Sequence, residues 1–455
     1  MLLLPTGYYL AGGVLAVAAS FLALTVLPPA FVQRLATQRI VLFRTRANAR
    51  TAPSLLAFAV MCVLIAAGFL GSRDPLSNPL PLTIWTLLWV GVTLMQGLFG
   101  DVWAWINPWY GPYWLVRRLA GLGVGQQDEQ APTAQAGTGD SLSAVLGYWP
   151  AVALFFGFAW FELVYPAPDD PARLALVVAL YWTGNFICML AFGYSAWSKR
   201  GECLSAFFLI ISRLSVLEFV AEPGGRKGEL RLCWPGAKLS QAEALPLSGV
   251  LFLLLTLASV SFDGLSKTFL WLGSNGINPL EFPGRSALIG INTMGLVLTF
   301  GILAAVFLGA VSIGERLASG RNIMIASAGL LVWSIVPIAL AYHFSHYLTS
   351  LVVNGQYALV AISDPFSTGW NLFGAAYMPV SPGLVAGASS AWVLWNLQAA
   401  AIVGGHVLAV LVAHLLASRL HTEPGRAVVS QILLAVLMIL YTVFGLWLLS
   451  TPTAG

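Results

Sequence analysis

Runs of about 20 apolar residues recur along this chain, and no other feature constrains its fold as tightly. A bilayer core of roughly 30 Å is crossed by about 20 helical residues. In lipid, every backbone N–H and C=O must be paired within a helix or a closed barrel. These runs are continuously apolar rather than alternating, so helices are expected and a β-barrel is not. Ten spans are read, at roughly 7–28, 52–71, 82–100, 144–163, 172–196, 248–266, 285–312, 324–352, 388–418 and 427–450.

Composition points the same way. Charged residues are 9% of the 455 and hydrophobic residues 58%, whereas soluble domains carry about 25% charged residues. The expected fold is an all-α polytopic transmembrane helical bundle, one membrane domain over 1–455. The first run lacks a basic leader and an Ala-x-Ala exit, so it reads as a retained span. Cys62, Cys188, Cys203 and Cys233 form no CxxC pair and no metal spacing, as free thiols do. No internal repeat is visible.

Loop charges set the orientation. With the N-terminus outside, all but four of the 22 Lys and Arg fall in inside loops. The outside keeps Arg73, Arg173, Lys267 and Arg285. An even span count then leaves both termini outside. The same split accounts for the net charge of +4 without a nucleic-acid partner. The partner that the composition requires is the lipid bilayer.

Three connections are expected to differ in kind. Residues 119–143 read as a flexible inside loop. Residues 199–247 read as an inside interfacial segment, and 354–387 as an outside polar loop. Within the second, Leu204–Val220 is short and apolar but holds Arg213 and Glu218, which suits an interfacial or re-entrant helix. Residues 229–238 alternate and turn at Pro235–Gly236, which predicts a small inside hairpin. The Trp and Tyr crowd from Trp103 to Trp114 reads as an interfacial belt.

Polar residues inside spans are costly in lipid and therefore mark candidate sites. Counting about 1.5 Å per helical residue places His343, His346, Asp263, Glu162 and Gln398 in one band near the outer face, with Asp364 in the loop just beyond. If the spans converge, these six line an outward-facing pocket for a proton or a metal. A second, deeper level holds His406, His414, Asp101 and Asn185. Each group also has a plainer reading. His343 and His346 can be satisfied by neighbouring carbonyls, and Asp263 and Asp364 can be turn or cap residues. His406, after Gly404–Gly405, can be incidental to close helix packing.

The sequence names no cofactor. His343 and His346 form an HxxH pair, a weak metal signal in the absence of HExxH, and a divalent metal is one option. Haem is disfavoured, because His346 and His406 come out about 15–20 Å apart in height by the same residue count.

Several blocks carry a resemblance. They are GDVWAWINPW (Gly100–Trp109), FELVYPAPDDPARLAL (Phe161–Leu176), SFDG (Ser261–Gly264), HYLTSLVVNGQ (His346–Gln356), SDPFSTGWNLFG (Ser363–Gly374) and GGHVLAVLVAH (Gly404–His414). In order and rough spacing the chain resembles a bacterial membrane family that goes by the name fenitrothion hydrolase. The resemblance implies a multi-pass protein of the bacterial cytoplasmic (inner) membrane and hydrolysis of an organophosphate ester. His346, Asp364, His406 and His414 fall in matching blocks, while His343 departs from the pattern. The resemblance carries over no catalytic residue.

Three function classes follow. The first is proton- or cation-linked transport of a small ion or small molecule, for which ten spans and two polar levels are suited. The second is a membrane-embedded hydrolase whose metal activates water. The third is a redox or assembly subunit with haem or copper.

Overall fold

A computed structural model of the chain describes residues 6–27, 29–46, 50–122, 146–221, 227–281, 284–320 and 324–451. Among them, nine helices are long and apolar enough to cross a membrane. The protein is an all-α polytopic helical bundle, a multi-pass membrane protein. The nine are α1 (Thr6–Val26), α2 (Thr51–Leu70), α3 (Pro79–Phe99), α5 (Pro171–Phe192), α7 (Leu247–Ser266), α8 (Arg285–Ser319), α9 (Met324–Ser363), α10 (Ala388–Leu420) and α11 (Pro424–Ser450). The tenth expected span, 144–163, is a helix α4 of only 15 residues, Trp149–Leu163. At about 1.5 Å per residue it reaches roughly 22 Å, short of a full hydrocarbon core.

The local sequence explains several boundaries. Asp170 caps α5 by accepting a bond from the Arg173 N–H at 2.9 Å, and Pro171 opens the helix. That first turn has no use for the missing proline N–H. Helix α9 is broken by a 3-10 turn at Val332–Ser334. Pro337 therefore lies in the first turn of the second segment, Ile335–Ser363, and interrupts no helix interior. Most of α3, Leu82–Val92, winds as a π-helix, a form that is rare and concentrated at functional places.

Helices α7 and α9 are the centre of the bundle. Their hydrophobic windows are 83% and 78% buried, against 17% for α1 and α2. Helix α7 reads apolar all round, with hydroxyls that return to its own carbonyls: Thr256 to Leu253, Ser259 to Thr256 and Ser261 to Leu257. Such back-bonding satisfies a hydroxyl where no water is available. Helices α9 and α10 meet closely at Gly405, where an added Cβ would lie 2.9 Å from the Pro337 carbonyl.

Helix α6 (Cys203–Ile211) takes the second of the two alternatives read for Leu204–Val220, a short helix inside the bundle. It is buried in the bundle and not laid on an interface, with Phe207 against Trp89 and Phe155 and Phe208 against Trp103. The helix stops early, and the chain then enters a three-stranded antiparallel sheet. Strands β1 (Ile40–Arg46), β2 (Leu217–Ala221) and β3 (Lys227–Leu232) lie in the order β1-β3-β2. The hairpin is thus β2–β3, not 229–238. Pro235–Gly236 leads instead into the short helix Ala237–Ser240, with Gly236 at φ 98°. Lys238 of that helix ties the hairpin to the end of α6. Its Nζ donates to Ser212 O (2.9 Å), Ser215 Oγ (2.6 Å) and Leu217 O (2.8 Å).

Two loop expectations change as well. The outside loop read at 354–387 begins only after Ser363, because α9 continues helical through Asn354, Gly355 and Gln356. At the other loop, residue 119 still belongs to the helix Tyr110–Leu119, and 123–143 lie outside the described residues.

Candidate functional site

The central pair of helices carries the site. Asp263 sits one turn from the end of α7, and its side chain is 5% exposed. His346 projects from α9, and its Nε2 lies 2.6 Å from Asp263 Oδ2. Lys267, four residues after Asp263, places Nζ 2.7 Å from Oδ1. A cation at this point also faces the negative end of the α7 dipole. Tyr347 completes the set. Its hydroxyl lies 3.0 Å from Asp263 Oδ2 and 2.9 Å from Glu162 Oε1. Glu162 is the penultimate residue of α4, and Arg285 at the start of α8 donates to its main-chain carbonyl at 2.8 Å. One buried carboxylate is thus held by an imidazole, an ammonium and a phenol, and the phenol connects to a second carboxyl group.

Three of the six expected outer residues are brought together: Glu162, Asp263 and His346. The other three are not. His343 donates from Nε2 to the Trp89 carbonyl at 2.9 Å and is fully enclosed, with its ring 4.9 Å from Trp89 and 4.8 Å from Tyr347. The HxxH pair therefore does not converge, because residues three apart differ by about 60° in direction at 3.6 residues per turn. Gln398 and Ser345 form a reciprocal clamp between α10 and α9. The Gln398 amide donates to Ser345 O (2.7 Å), and the Ser345 hydroxyl donates to Gln398 O (2.9 Å). Asp364 is a loop residue whose carboxylate accepts from the Thr368 and Gly369 N–H groups at 3.0 and 2.8 Å. Desolvation raises its affinity for a proton, but these backbone donors outweigh it and hold the carboxyl below its usual range.

The deeper level does not form one cluster either. His406 is completely buried. Nδ1 donates to the Ile402 carbonyl at 2.8 Å, and Nε2 has no partner. Its ring lies 6.2 Å from Tyr342 and 6.4 Å from Tyr441. The Tyr441 hydroxyl is hydrogen-bonded to Ser261, two residues before Asp263 on α7. Because Gly405 packs on Pro337 and Ala341, His406 is only about two turns, some 9–12 Å, below His346. The 15–20 Å expected from counting residues was too large. The two rings still face different partners, so they do not form a pair of haem ligands. His414 meets the Gln431 amide at 3.4 Å. Asn185 bonds Tyr181 O and Trp197 Nε1, both at 2.9 Å. Asp101, beyond the end of α3, accepts from the Ala104 N–H at 3.1 Å. Burial pushes its carboxyl up from the ordinary range, opposed by bonds from Gln96 and Ala104.

Among the described residues, no group of three or more His, Cys, Asp and Glu side chains is arranged to hold a metal ion. At Asp263 the reason is local: the Lys267 ammonium already occupies the second carboxylate oxygen.

Residue-by-residue reading of the sequence missed Tyr347 and Lys267. Both had signals. Lys267 stands at i+4 from Asp263, the spacing that pairs side chains on one helix face, and Tyr347 follows His346 directly. It also missed Glu202, which caps α6 by accepting from the Leu204 and Ser205 N–H groups at 2.8 and 2.6 Å and is bonded to the Tyr181 hydroxyl.

The chain matches no protein-family model, no curated protein and no solved structure.

Proposed function

We propose that the protein is a proton-linked transporter whose proton is taken up at the His346–Asp263–Tyr347–Glu162 cluster. The observation that carries this reading is the connectivity around Asp263. A carboxyl group, a phenol, a carboxylate and an imidazole lie in unbroken hydrogen-bond contact, each step 2.6–3.0 Å. Charged groups inside a bundle are costly and are kept where ions or protons are handled. The cluster is open at one end only. His346 and Lys267 side chains are 26% and 48% exposed, while Asp263 is enclosed. Below it, Ser261, Tyr441 and the unpartnered Nε2 of His406 extend the polar groups toward the bundle centre.

Orientation follows from charge. The sheet end of the bundle carries most of the basic residues, so the positive-inside rule assigns it to the cytoplasm and the Asp263 cluster to the opposite face. On this reading the cargo is a small ion or small molecule and the membrane is the bacterial inner membrane. Metal-assisted hydrolysis has no observation in its favour among the described residues.

The test uses purified protein in liposomes loaded with a pH-sensitive dye. An imposed potential should drive proton entry in wild type. His346→Ala and Asp263→Asn should reduce the rate at least tenfold. Wild-type liposomes as tight as protein-free ones would end the proposal.

A further inference from the structure

A cavity of about 800 Å³ lies between α2, α3, α4 and α5, with Trp89, Trp160 and Phe161 of its wall standing between it and the polar cluster. Its walls are aliphatic and aromatic side chains, and the indoles among them other than Trp89 have their N–H groups bonded within the protein. Trp85 Nε1 donates to Pro168 O (3.3 Å), and Trp103 Nε1 to Ser205 Oγ (2.9 Å). Trp109 Nε1 donates to Trp182 O (2.9 Å), and Trp182 Nε1 to Pro108 O (3.3 Å). Trp160 Nε1 donates to Thr293 Oγ1 (2.9 Å), and the Tyr181 hydroxyl is taken by Glu202. These indoles and the phenol therefore present carbon to the cavity; among the described lining residues, Trp89 Nε1 and Thr83 Oγ1 are the polar atoms left without a partner in an otherwise apolar wall.

That chemistry defines the occupant. A space of this size with so few free hydrogen-bonding groups is poor for water, which needs two to four partners. At roughly 30 Å³ for a group the size of a water molecule, the volume suits about 25 methylene groups. The mouth lies on a bilayer-facing flank. Leu56, Val60 and Val177 line the cavity and are 67%, 49% and 38% exposed. They belong to α2 and α5, whose apolar windows are mostly unburied. An occupant therefore enters sideways from the membrane.

We propose that this cavity is a binding site for the acyl chains of a membrane phospholipid. It is separate from the proton cluster and does not depend on transport. Gly157 of α4 lines the cavity, and a Cβ added there meets nothing within 4 Å. A larger side chain at this position fills the site from inside without displacing a neighbour. Ala153, one turn earlier on the same helix, offers a second position.

The experiment reconstitutes the full-length protein with phosphatidylcholine carrying a diazirine in one acyl chain, followed by photolysis and peptide mapping. Cavity-lining peptides of α2, α4 and α5 should carry at least fivefold more label than the exposed face of α8 around Leu298 and Ile302. Gly157→Phe should reduce the cavity label at least fivefold and leave the α8 label unchanged. Ala153→Leu serves in its place if Gly157→Phe does not fold. Equal labelling of cavity and α8 would overturn the proposal, and so would cavity label unaffected by both variants. Labelling by a diazirine fatty acid but not by the phospholipid would also overturn it, since the occupant would then be a detached single-chain amphiphile.

Discussion

His346 of α9 and Asp263 of α7 meet at 2.6 Å although 83 residues separate them in the chain. The contact joins the two most enclosed helices of the bundle, and Lys267 covers it from the open side. The imidazole and the ammonium on Asp263 are not equivalent partners.

Removing the carboxylate should cost more than removing its exposed cation. Asp263→Asn leaves a half-buried imidazole and a phenol without their charged acceptor and should destabilise the protein by about 1–3 kcal/mol. Lys267→Met removes an ion pair whose ammonium is half in solvent and should cost less than about 1 kcal/mol. Thermal unfolding in detergent, followed by tryptophan fluorescence, compares them. Identical melting temperatures for the two variants would mean that the Lys267 pair accounts for all the stability Asp263 contributes.

His343 and His346 should separate in function. His343→Phe removes one of two side-chain donors from the Trp89 carbonyl, Thr93 being the other, and should lower stability by about 0.5–1.5 kcal/mol, with proton flux in liposomes within twofold of wild type. His346→Ala should lose the flux. An equal loss in both variants would restore the paired-histidine site that the geometry dissolves.

The adjacent glycines of α10 should behave oppositely. A Cβ at Gly404 meets nothing within 4 Å, whereas one at Gly405 falls 2.5 Å from Ala341 Cβ and 2.9 Å from the Pro337 carbonyl. Gly404→Ala should be neutral. Gly405→Ala should cost about 1–3 kcal/mol through overpacking between α9 and α10. Melting curves of the two single variants decide it, and a neutral Gly405→Ala would mean that the helices part more easily than their packing indicates.

Lys238 gives a pH signature on the sheet side. Burial pushes its ammonium down to about 8 from an ordinary value of 10.5. Between those values the unfolded chain binds more protons than the folded one, so the stability contributed by this residue rises with pH across that window. Lys238→Met should cost about 1–3 kcal/mol at neutral pH, because three acceptors lose their donor. Its deficit relative to wild type should widen toward pH 10. A deficit that shrinks with rising pH would reverse the assignment.

The spans could be read from the sequence because a run of about 20 apolar residues has few alternatives to a helix in lipid. Depth was legible in part: helical rise is constant, so counting put Glu162, Asp263 and His346 at one level, but it overstated the drop from His346 to His406, which depends on how α10 packs against α9. Direction around the helix axis was not. It depends on which neighbour packs where, and it sends His343 to Trp89 and folds Gln398 onto Ser345. The sheet was legible only in part. Strand β1 pairs with β3, for example Arg44 with Glu229, across most of the first half of the chain. Such pairing leaves no local trace beyond the β-branched and aromatic content of Ile40–Arg46.

The enclosure of α7 and α9 also limits how the Asp263 cluster can operate. Close-packed interiors yield by discrete repacking and resist gradual bending. Tilting either helix would unseat neighbours on every side. A rotation of one imidazole, already part-open to the aqueous rim, disturbs almost nothing, and it is the smallest stroke available to this machine.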